Sequence, residues 1–286
     1  EIMLQQTRVE AVKPFFERFM KALPDVSALA ACPEDELLKL WEGLGYYNRV
    51  RNMQKAAQVI MTEYSGEFPA DFEKLLALPG IGSYTAGAIS SIAFGIPMPA
   101  VDGNVLRVIS RVKASYEDVL KQSVKTAMEA EVKKIIPADR AGDFNQALIE
   151  IGAIVCVPNG KAKCEICPLA FLCEAYKKGI VDELPKKKVK RERRIEDRTI
   201  LILKEGDRVG IRKRPSKGLL AGLYELPGLE GHLSEEEVLA QVKAWGYAPL
   251  RILPLTGAKH IFSHVEWHMT GYAVRVDELE HTHAKG

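Results

Sequence analysis

The chain has 286 residues, of which 47% are hydrophobic, and a formal net charge of +2. This length allows about two domains, and no apolar run reaches the roughly 18 residues that a membrane-spanning helix needs. The charge is too small to indicate nucleic-acid binding by itself, so any contacts to phosphate would have to be local. All six histidines lie at position 232 or later. Acid–base chemistry before that position must therefore use carboxylates, lysine, tyrosine or cysteine.

Apolar residues recur at helical spacing through residues 1–184, which predicts an all-α first domain. Ile2, Met3, Val9 and Val12 place the start of the chain within a helix. Glycines follow several of the segments, as glycines at helix C-termini do. The predicted helices span residues 8–21, 34–44, 51–64, 123–136 and 144–155, and another begins after Asp71.

A glycine hairpin, Leu78-Pro79-Gly80-Ile81-Gly82, leads into a helix-like sequence. Glycines let backbone N–H groups approach a phosphate at the start of a helix, although an ordinary bend between helices also favours glycine. Asp102 follows twenty residues after the hairpin, ahead of another helix. Asp102 could cap this helix, which we predict to begin near Val105, but Asn104 is the better-placed cap, and a cap at Asn104 leaves Asp102 free as an ionised carboxylate. Such a carboxylate can stabilise the oxocarbenium ion that develops on a sugar.

Four of the five cysteines follow the pattern C-x7-C-x2-C-x5-C: Cys156, Cys164, Cys167 and Cys173. This clustering predicts metal ligation in a reducing cytoplasm rather than disulfides. Because there is only one C-x2-C pair, the pattern favours a [4Fe–4S] cluster, with structural zinc as the alternative. Cys32 is predicted to be a small buried residue.

The composition changes after residue 184. Residues 185–198 contain eight Lys or Arg against three acids, which predicts an exposed basic linker, with a DNA contact as the less favoured interpretation. Strand-like patterns follow over 199–203 and 260–276, separated by a turn at Gly206 and Asp207 and a helix capped by Ser234. The second domain, 199–286, is therefore predicted to be α+β.

Taken together, these motifs resemble the helix-hairpin-helix DNA glycosylase superfamily with an iron–sulfur loop, here at 156–173. More closely, the chain is similar to the adenine DNA glycosylases, which remove adenine mispaired with 8-oxoguanine. The resemblance implies a multidomain α and α+β protein: an all-α helix-hairpin-helix glycosylase domain over 1–184, then a smaller Nudix-like α+β domain over 199–286 that recognises 8-oxoguanine. The matching stretches are 1–7, 41–47, the hairpin, 101–105, 144–148 and the four cysteines.

The resemblance implies a catalytic set. Glu1 would be the general acid that protonates adenine, and Asp102 would stabilise the oxocarbenium ion with support from Tyr84 and Asn104. Tyr84 stands where the related endonuclease III branch has a lysine that forms a Schiff base. Since a phenol cannot form an imine, we expect base removal without strong strand cleavage.

The resemblance also implies DNA-binding residues. Gln6 would be a wedge and Tyr46 an intercalating aromatic beside the oxidised guanine, while Gln146 would hydrogen-bond the adenine edge. Phe262, Ser263 and His264 match the loop that inspects 8-oxoguanine, and Ser263 can accept from the N7–H of that base. Without the family, His264 would be interpreted as a histidine at a strand end. Further expected DNA contacts are Leu4, Gly80 and Gly82.

The sequence departs from the family in two places. Seven residues separate Cys156 and Cys164, where the family usually has six. The family also extends before the position of Glu1, so we expect a missing N-terminal segment that carries part of the adenine pocket, and a truncated C-terminus. Residues 239–246 lack the acids with which Nudix hydrolases bind Mg²⁺. We therefore expect recognition there without nucleotide hydrolysis.

Two other functions stay open. One is a pyrimidine glycosylase and lyase of the endonuclease III type, and the other is a non-catalytic iron–sulfur module that binds mismatched DNA. In the favoured interpretation, a cytoplasmic monomer acts on double-stranded DNA that contains adenine opposite 8-oxoguanine, with no membrane partner.

Overall fold

The computed structural model describes residues 1–187 and 192–279. The chain divides into two compact units, Glu1–Lys188 and Val189–Gly286. Positions 188–191 of the predicted linker, and the last seven positions of the predicted second domain, lie outside the described residues. Across the described ranges, no helix combines the length and the apolar character that crossing a membrane requires.

The first unit is helical throughout its described part. A 3₁₀ turn at Ile2–Leu4 precedes the helices, and a π-helical segment at Ile151–Val155 continues one of them. The α-helices are α1 (Val9–Ala22), α2 (Val26–Ala31), α3 (Glu34–Trp41), α4 (Asn48–Glu63), α5 (Phe72–Ala77), α6 (Ser83–Phe94), α7 (Gly103–Val112), α8 (Gln122–Ile135), α9 (Ala141–Glu150) and α10 (Glu174–Lys177).

The predicted helices are confirmed, with differences at their ends. The helix predicted over 34–44 ends at Trp41, because Gly43 and Gly45 take left-handed conformations with φ of 100° and 67°. The chain does not open within a continuous helix. Gln6, with φ 58°, separates the turn at Ile2–Leu4 from α1.

Among the apolar clusters that hold the helices of the first unit, two lie next to the candidate site. One packs α4 and α6 around the glycine hairpin, and Ile81, 7% exposed, anchors the hairpin in it. The other packs α7 against α8 and contains Val105 and Met128. The hairpin and the start of α7, where the sequence predicts chemistry, each pack against a buried apolar cluster.

Asn145 of α9 secures the segment that leads to Asp102. Its side chain is fully buried. Oδ1 accepts from the Ala100 amide at 3.1 Å, and Nδ2 donates to Ser91 Oγ and to the Met98 carbonyl, both at 2.8 Å. The backbone of this loop between α6 and α7 forms no helix or strand, so the Asn145 side chain supplies the hydrogen-bond partners that its backbone groups need.

The second unit is built on a five-stranded sheet. Four of its strands are ordered β2–β1–β7–β6, and β5 pairs with β1. β1 and β7 are parallel, β6 and β7 antiparallel. The elements are β1 (Arg194–Glu205), β2 (Arg208–Val209), β3 (Arg212–Lys213), β4 (Tyr224–Glu225), β5 (Gly228–Glu230), α11 (Glu235–Ala244), β6 (Pro249–Ile261) and β7 (Val265–Val276), with β3 and β4 forming a separate pair.

The predicted α+β character of this unit is confirmed. α11 packs Val238 and Val242 against Leu201, Leu203 and Val274 of the sheet. Ser234 caps α11 through a capping box with Glu237, as predicted.

The predicted end of the linker is wrong. β1 begins at Arg194, so the last five residues of the segment 185–198 belong to a strand. Their backbone pairs in register with Val265–Met269 of β7, and this tertiary pairing overrides a composition that is typical of linkers.

Replacing Asn145 by alanine tests the support of the loop before Asp102. The substitution leaves buried backbone groups without partners, and we expect a loss of about 2–4 kcal/mol in the free energy of unfolding. Urea denaturation followed by helical circular dichroism measures it. Gln146→Ala is the matched control, because Gln146 is exposed. Equal stability of the two variants would contradict the assignment.

Candidate active site

Glu1 and Tyr84 meet at the start of α6. The Tyr84 hydroxyl donates to Glu1 Oε2 at 2.8 Å. At the next residue along the helix, Thr85 Oγ1 accepts from Gln5 Nε2 at 3.1 Å. Residues 1–7 are therefore attached to the first turn of α6, which is also the helix that the glycine hairpin starts.

The Tyr84 phenol lies in a carboxylate-rich environment. Burial raises the pKa of Tyr84 well above its ordinary value, and the charges of Glu1 and Asp102 raise it further, together with the hydrogen bond to Glu1. Each of these causes disfavours the phenolate. Tyr84 consequently stays a hydrogen-bond donor, and the structure brings together the three predicted residues Glu1, Tyr84 and Asp102.

Asp102 is itself the N-cap of α7, which corrects the prediction that Asn104 caps a helix starting near Val105. Oδ1 accepts from the Asn104 and Val105 amides, both at 2.8 Å, and Oδ2 accepts from Asn104 Nδ2 at 2.8 Å. The helix begins at Gly103, two residues earlier than predicted. Asn104 instead supports the carboxylate through its side chain, and both residues lie together as the resemblance implied.

A buried arginine connects Asn104 to the cysteine loop. Arg107 Nη2 donates to Asn104 Oδ1 at 2.9 Å and to the Gly152 carbonyl at 2.6 Å, and Nε donates to the Cys156 carbonyl at 2.7 Å. Burial lowers the pKa of Arg107, yet a guanidinium stays charged in proteins. Its fixed fork therefore sets the distance between the start of α7 and Cys156.

The four predicted cysteine ligands surround one small cavity. Cys156, Cys164, Cys167 and Cys173 line it together with Val108 and Arg111 of α7. Burial raises the pKa of the Cys164 thiol, and the other three cysteines raise it further. Within residues 1–187 and 192–279, no three His, Cys, Asp or Glu side chains are arranged to hold a single metal ion.

The donor set of the cavity fits a group bound by thiolates. Arg111 Nη1 donates to Cys156 Sγ at 3.2 Å and to the Val157 carbonyl at 3.2 Å. Thiolate is the form of cysteine that ligates metals, and an arginine N–H can donate a hydrogen bond to such a sulfur. Cys32 is buried, as predicted, at 9% exposure.

The predicted wedge and intercalating residue share a backbone feature. Gln6 and Tyr46 take left-handed conformations with φ of 58° and 49°, which side chains other than glycine rarely adopt. Both side chains are exposed, as is that of Leu4. Strained backbone of this kind persists where the surroundings determine it, and it is frequent at functional sites.

The two glycines of the hairpin differ in what requires them. Gly80 has φ 76°, and a Cβ there would lie 2.5 Å from Asn52 Cβ, so packing demands glycine. Gly82 is the N-cap of α6, and a Cβ on it would meet nothing within 4 Å. The space beside Gly82 and the N–H groups of the first turn suit an approaching phosphate.

Gln146 is not joined to the other site residues by the hydrogen bonds of the described chain. Its side chain is exposed on α9, and its Nε2 lies 3.4 Å from the Gly142 carbonyl of the same helix. Its predicted contact with adenine stays a prediction.

In the second unit, Phe262, Ser263 and His264 form the loop between β6 and β7. The Phe262 ring packs edge-on against His260 and Trp267, with centroid distances of 4.5 Å and 4.9 Å. Ser263 and His264 are exposed. The loop thus exposes the polar side chains of Ser263 and His264 next to the packed ring of Phe262.

Sequence reasoning missed Arg49, Arg107 and Asn145. Each is a polar side chain held by tertiary hydrogen bonds, and neither periodicity nor motif spacing marks such positions. A hint existed for Asn145, because it lies in the matching stretch 144–148, and for Arg49, which lies two residues after the stretch 41–47.

Known proteins resemble both units. A model described as "HhH-GPD superfamily base excision DNA repair protein" matches residues 1–137, and a model described as "NUDIX domain" matches residues 198–285. Adenine DNA glycosylase of Buchnera aphidicola subsp. Baizongia pistaciae is 32% identical over 98% of this chain and 78% of its own. The chain belongs to the adenine DNA glycosylase family. The predicted family and fold class are therefore confirmed.

Other organisms have similar family members. Mouse adenine DNA glycosylase is 33% identical over 97% of this chain, and the chain spans 64% of that protein's length. Among solved structures, a non-covalent endonuclease III–DNA complex matches with a TM-score of 0.55 and 31% identity, covering 63% of this chain and 82% of that one. A thermostable thymine-DNA glycosylase matches with a TM-score of 0.54 and 30% identity, covering 62% and 81%.

The titration of Tyr84 checks the electrostatics of the site. Because burial and two carboxylates raise its pKa, Tyr84 should contribute no tyrosinate near pH 10, where an unperturbed tyrosine ionises. The parent chain and Tyr84→Phe should therefore gain the same tyrosinate absorbance up to about pH 11. A smaller gain near pH 10 in the variant would place Tyr84 in water instead.

Proposed function

We propose that this chain hydrolyses the N-glycosidic bond of adenine in duplex DNA, where adenine lies opposite 8-oxoguanine or guanine. The observation that carries the proposal is the hydrogen bond from Tyr84 to Glu1 beside the carboxylate of Asp102. Membership of the adenine DNA glycosylase family supports it.

Glu1 is the proposed general acid. Protonation of adenine makes the base a better leaving group, and the first unit contains no histidine to do this. The Tyr84 hydroxyl donates to Oε2, so Oε1 is the oxygen left to carry the proton to the base. Gln5, bound to Thr85, keeps the segment against α6 while the proton moves.

Asp102 is the proposed stabiliser of the sugar cation. Its three hydrogen bonds hold the carboxylate at the N-terminus of α7. A fixed charge that needs no reorganisation stabilises a transition state more effectively than mobile water does. As the bond between sugar and base breaks, the positive charge develops on the sugar ring, and water then adds to complete the hydrolysis.

The phenol of Tyr84 favours simple base removal. An imine with the sugar needs an amine, and a protonated phenol cannot supply one. Endonuclease III, by contrast, has been captured as a trapped covalent intermediate with DNA. We propose that no such intermediate forms here, so the chain is monofunctional.

Recognition of the opposite base would involve exposed side chains of each unit. Gln6 and Tyr46 would occupy the space left by the flipped adenine and stack beside the oxidised guanine, which offsets part of the cost of unstacking. Leu4 and the hairpin would contact the DNA strand. Ser263 would accept from N7–H of 8-oxoguanine, with His264 next to it, and Gln146 would read the adenine edge.

Cys156, Cys164, Cys167 and Cys173 would hold a [4Fe–4S] cluster. Four thiol donors around one cavity, with a guanidinium directed at one sulfur, are the surroundings that such a cluster uses. When bound, the cluster would link the four cysteines of the loop 156–173 covalently. It would also supply a site for one-electron chemistry.

Replacing Asp102 by asparagine tests the catalytic assignment. Asparagine can keep the two hydrogen bonds from the α7 amides through Oδ1 but lacks the charge and the Oδ2 acceptor for Asn104 Nδ2, so we expect single-turnover adenine release to fall at least about a hundredfold. Mismatch binding should persist. Asp25→Asn, at the N-cap of α2, is the control and should release adenine at the parent rate. Unchanged release by Asp102→Asn would refute the role.

Borohydride trapping decides between this function and a lyase. A Schiff base between protein and sugar is reduced to a stable adduct. We expect release of adenine without an adduct from the parent chain. Efficient trapping, or release of a pyrimidine, would instead favour the endonuclease III type of activity. Binding without any base release would favour a non-catalytic module.

The cofactor is tested by colour and metal content. We expect purified chain to show broad visible absorbance and about four irons per chain. Cys164→Ser should lose both, and Cys32→Ser should retain them, since Cys32 lies outside the cavity. A colourless protein with one zinc would overturn the cluster.

A further inference from the structure

Arg49 lies in the first turn of α4, beneath two surface segments that the proposed function uses. Its Nη1 donates to the carbonyls of Ile2, Met3 and Gln5 at 3.1, 2.9 and 2.5 Å. Its Nη2 donates to the carbonyls of Leu44 and Gly45 at 3.1 and 3.2 Å, and to Thr7 Oγ1 at 3.3 Å. One guanidinium therefore binds the segment 1–7 and the loop 44–46 at the same time.

The carbonyls that Arg49 binds include those directly before the two strained residues. Gln5 precedes Gln6, and Gly45 precedes Tyr46. A carbonyl belongs to the same planar peptide as the next N–H, so holding it fixes one side of the φ torsion of the next residue. Gln6 and Tyr46 are the residues with φ of 58° and 49°. Arg49 thus holds the peptide planes that precede both left-handed residues.

The surroundings of Arg49 hold the guanidinium itself in place. It lies 5.2 Å from the Trp41 ring centroid and 5.6 Å from that of Tyr46. Trp41 donates through Nε1 to the Gly45 carbonyl at 3.0 Å, so it shares a partner with Arg49. Arg49 Nε is buried without a hydrogen-bond partner in the described part of the chain. A buried N–H group without an acceptor lowers the stability of the fold. Its presence at Arg49 indicates that the guanidinium has a role besides stabilising the fold.

We propose that Arg49 is a positioning residue that fixes the peptide planes before Gln6 and Tyr46 with a single guanidinium, so that both side chains enter the DNA duplex in one register. This inference rests on the proposed function, which gives Gln6 and Tyr46 their roles at the DNA. It adds a residue that touches neither the base nor the sugar.

Lysine cannot take over this role. Arginine carries two amino groups in a rigid planar fork: Nη1 binds the segment 1–7, and Nη2 binds the loop 44–46 together with Thr7 Oγ1. Lysine has one ammonium on a flexible stem. In Arg49→Lys the charge is retained, but the two segments are no longer tied to one rigid group. A misplacement of about 1 Å can cost as much as a hundredfold in rate.

The experiment compares Arg49→Lys with Arg51→Lys in the full 286-residue chain. Arg51 lies on the same helix, and its Nε pairs with Glu34 at 2.8 Å. The DNA duplex carries adenine opposite 8-oxoguanine, with 2-aminopurine next to the oxidised base as a reporter of unstacking. For Arg49→Lys we expect at least a roughly tenfold slower adenine release and loss of the fluorescence increase. Arg51→Lys should behave as the parent chain does.

A double-mutant cycle separates positioning from general stability. If Arg49 acts through Gln6 and Tyr46, then Arg49→Lys should slow adenine release by less than about twofold in a background that already carries Gln6→Ala and Tyr46→Ala. Additive effects of Arg49→Lys and this pair of substitutions would overturn the proposal. A fluorescence response of Arg49→Lys equal to that of the parent would also overturn it, as would loss of the response together with the helical circular dichroism signal.

The two readouts distinguish failure of the inference from failure of the proposed function. If the parent chain unstacks the duplex but releases no adenine, the glycosylase activity is wrong, and the fluorescence comparison still decides the role of Arg49. If the parent releases adenine and Arg49→Lys releases it equally fast, the activity stands and the positioning role is wrong.

Discussion

The attachment of Asp102 to the N-terminus of α7 is the constraint on which the rest of the first unit depends. The same helix carries Arg107 and Arg111, whose guanidinium groups bind the backbone and the sulfur of Cys156. A carboxylate at one end of a helix and a thiol loop along its side are therefore placed by one rigid element. Gly152 is part of this arrangement, because a Cβ there would lie 2.6 Å from Asn104 Cβ. Because the π-helical segment lies close to α7, Arg107 can reach both the Asn104 side chain and the Gly152 carbonyl.

The first 231 residues contain no histidine, so the proposed function assigns acid–base chemistry to carboxylates. In that proposal two carboxylates act as acid and as charge stabiliser, and they need different surroundings to do so. Asp102 accepts from amides at a helix start, whereas Glu1 lies on a short turn at the surface and accepts from a phenol. Tyr84 lies between them, and both raise its pKa. The phenol thereby remains a donor, and it contributes orientation without contributing a nucleophile.

The sequence allowed prediction of everything that repeats or has a defined spacing. Helical periodicity located the helices of the first unit, the hairpin and the cysteine pattern located two candidate sites, and Ser234 marked the start of α11. Rules based on local sequence failed where the same residues fit two different local structures equally well. Both Asp102 and Asn104 are cap-forming residues, and the choice between them depends on Arg107, which occupies the Asn104 side chain. Likewise, Arg194 to Arg198 have a linker composition, and only pairing with β7 makes them a strand. Arg49 is marked only by its place two residues after the matching stretch 41–47, since most of its partners are carbonyls that any sequence supplies.

Each unit supports an exposed segment in a similar way. In the first, Arg49 stacks on Trp41 beneath the residues 1–7 and 44–46. In the second, Arg198 lies 4.2 Å from the Trp267 ring centroid, and Trp267 packs under Phe262 of the loop between β6 and β7. The Nε atoms of both arginines are buried without partners in the described residues. A guanidinium stacked on an indole tolerates such burial better than an ammonium would, because it is weakly hydrated and planar. Both places therefore have a guanidinium with a buried Nε, unpartnered within the described chain, beneath exposed side chains, and in the proposed function a side chain that is held in one conformation loses less entropy when it binds DNA.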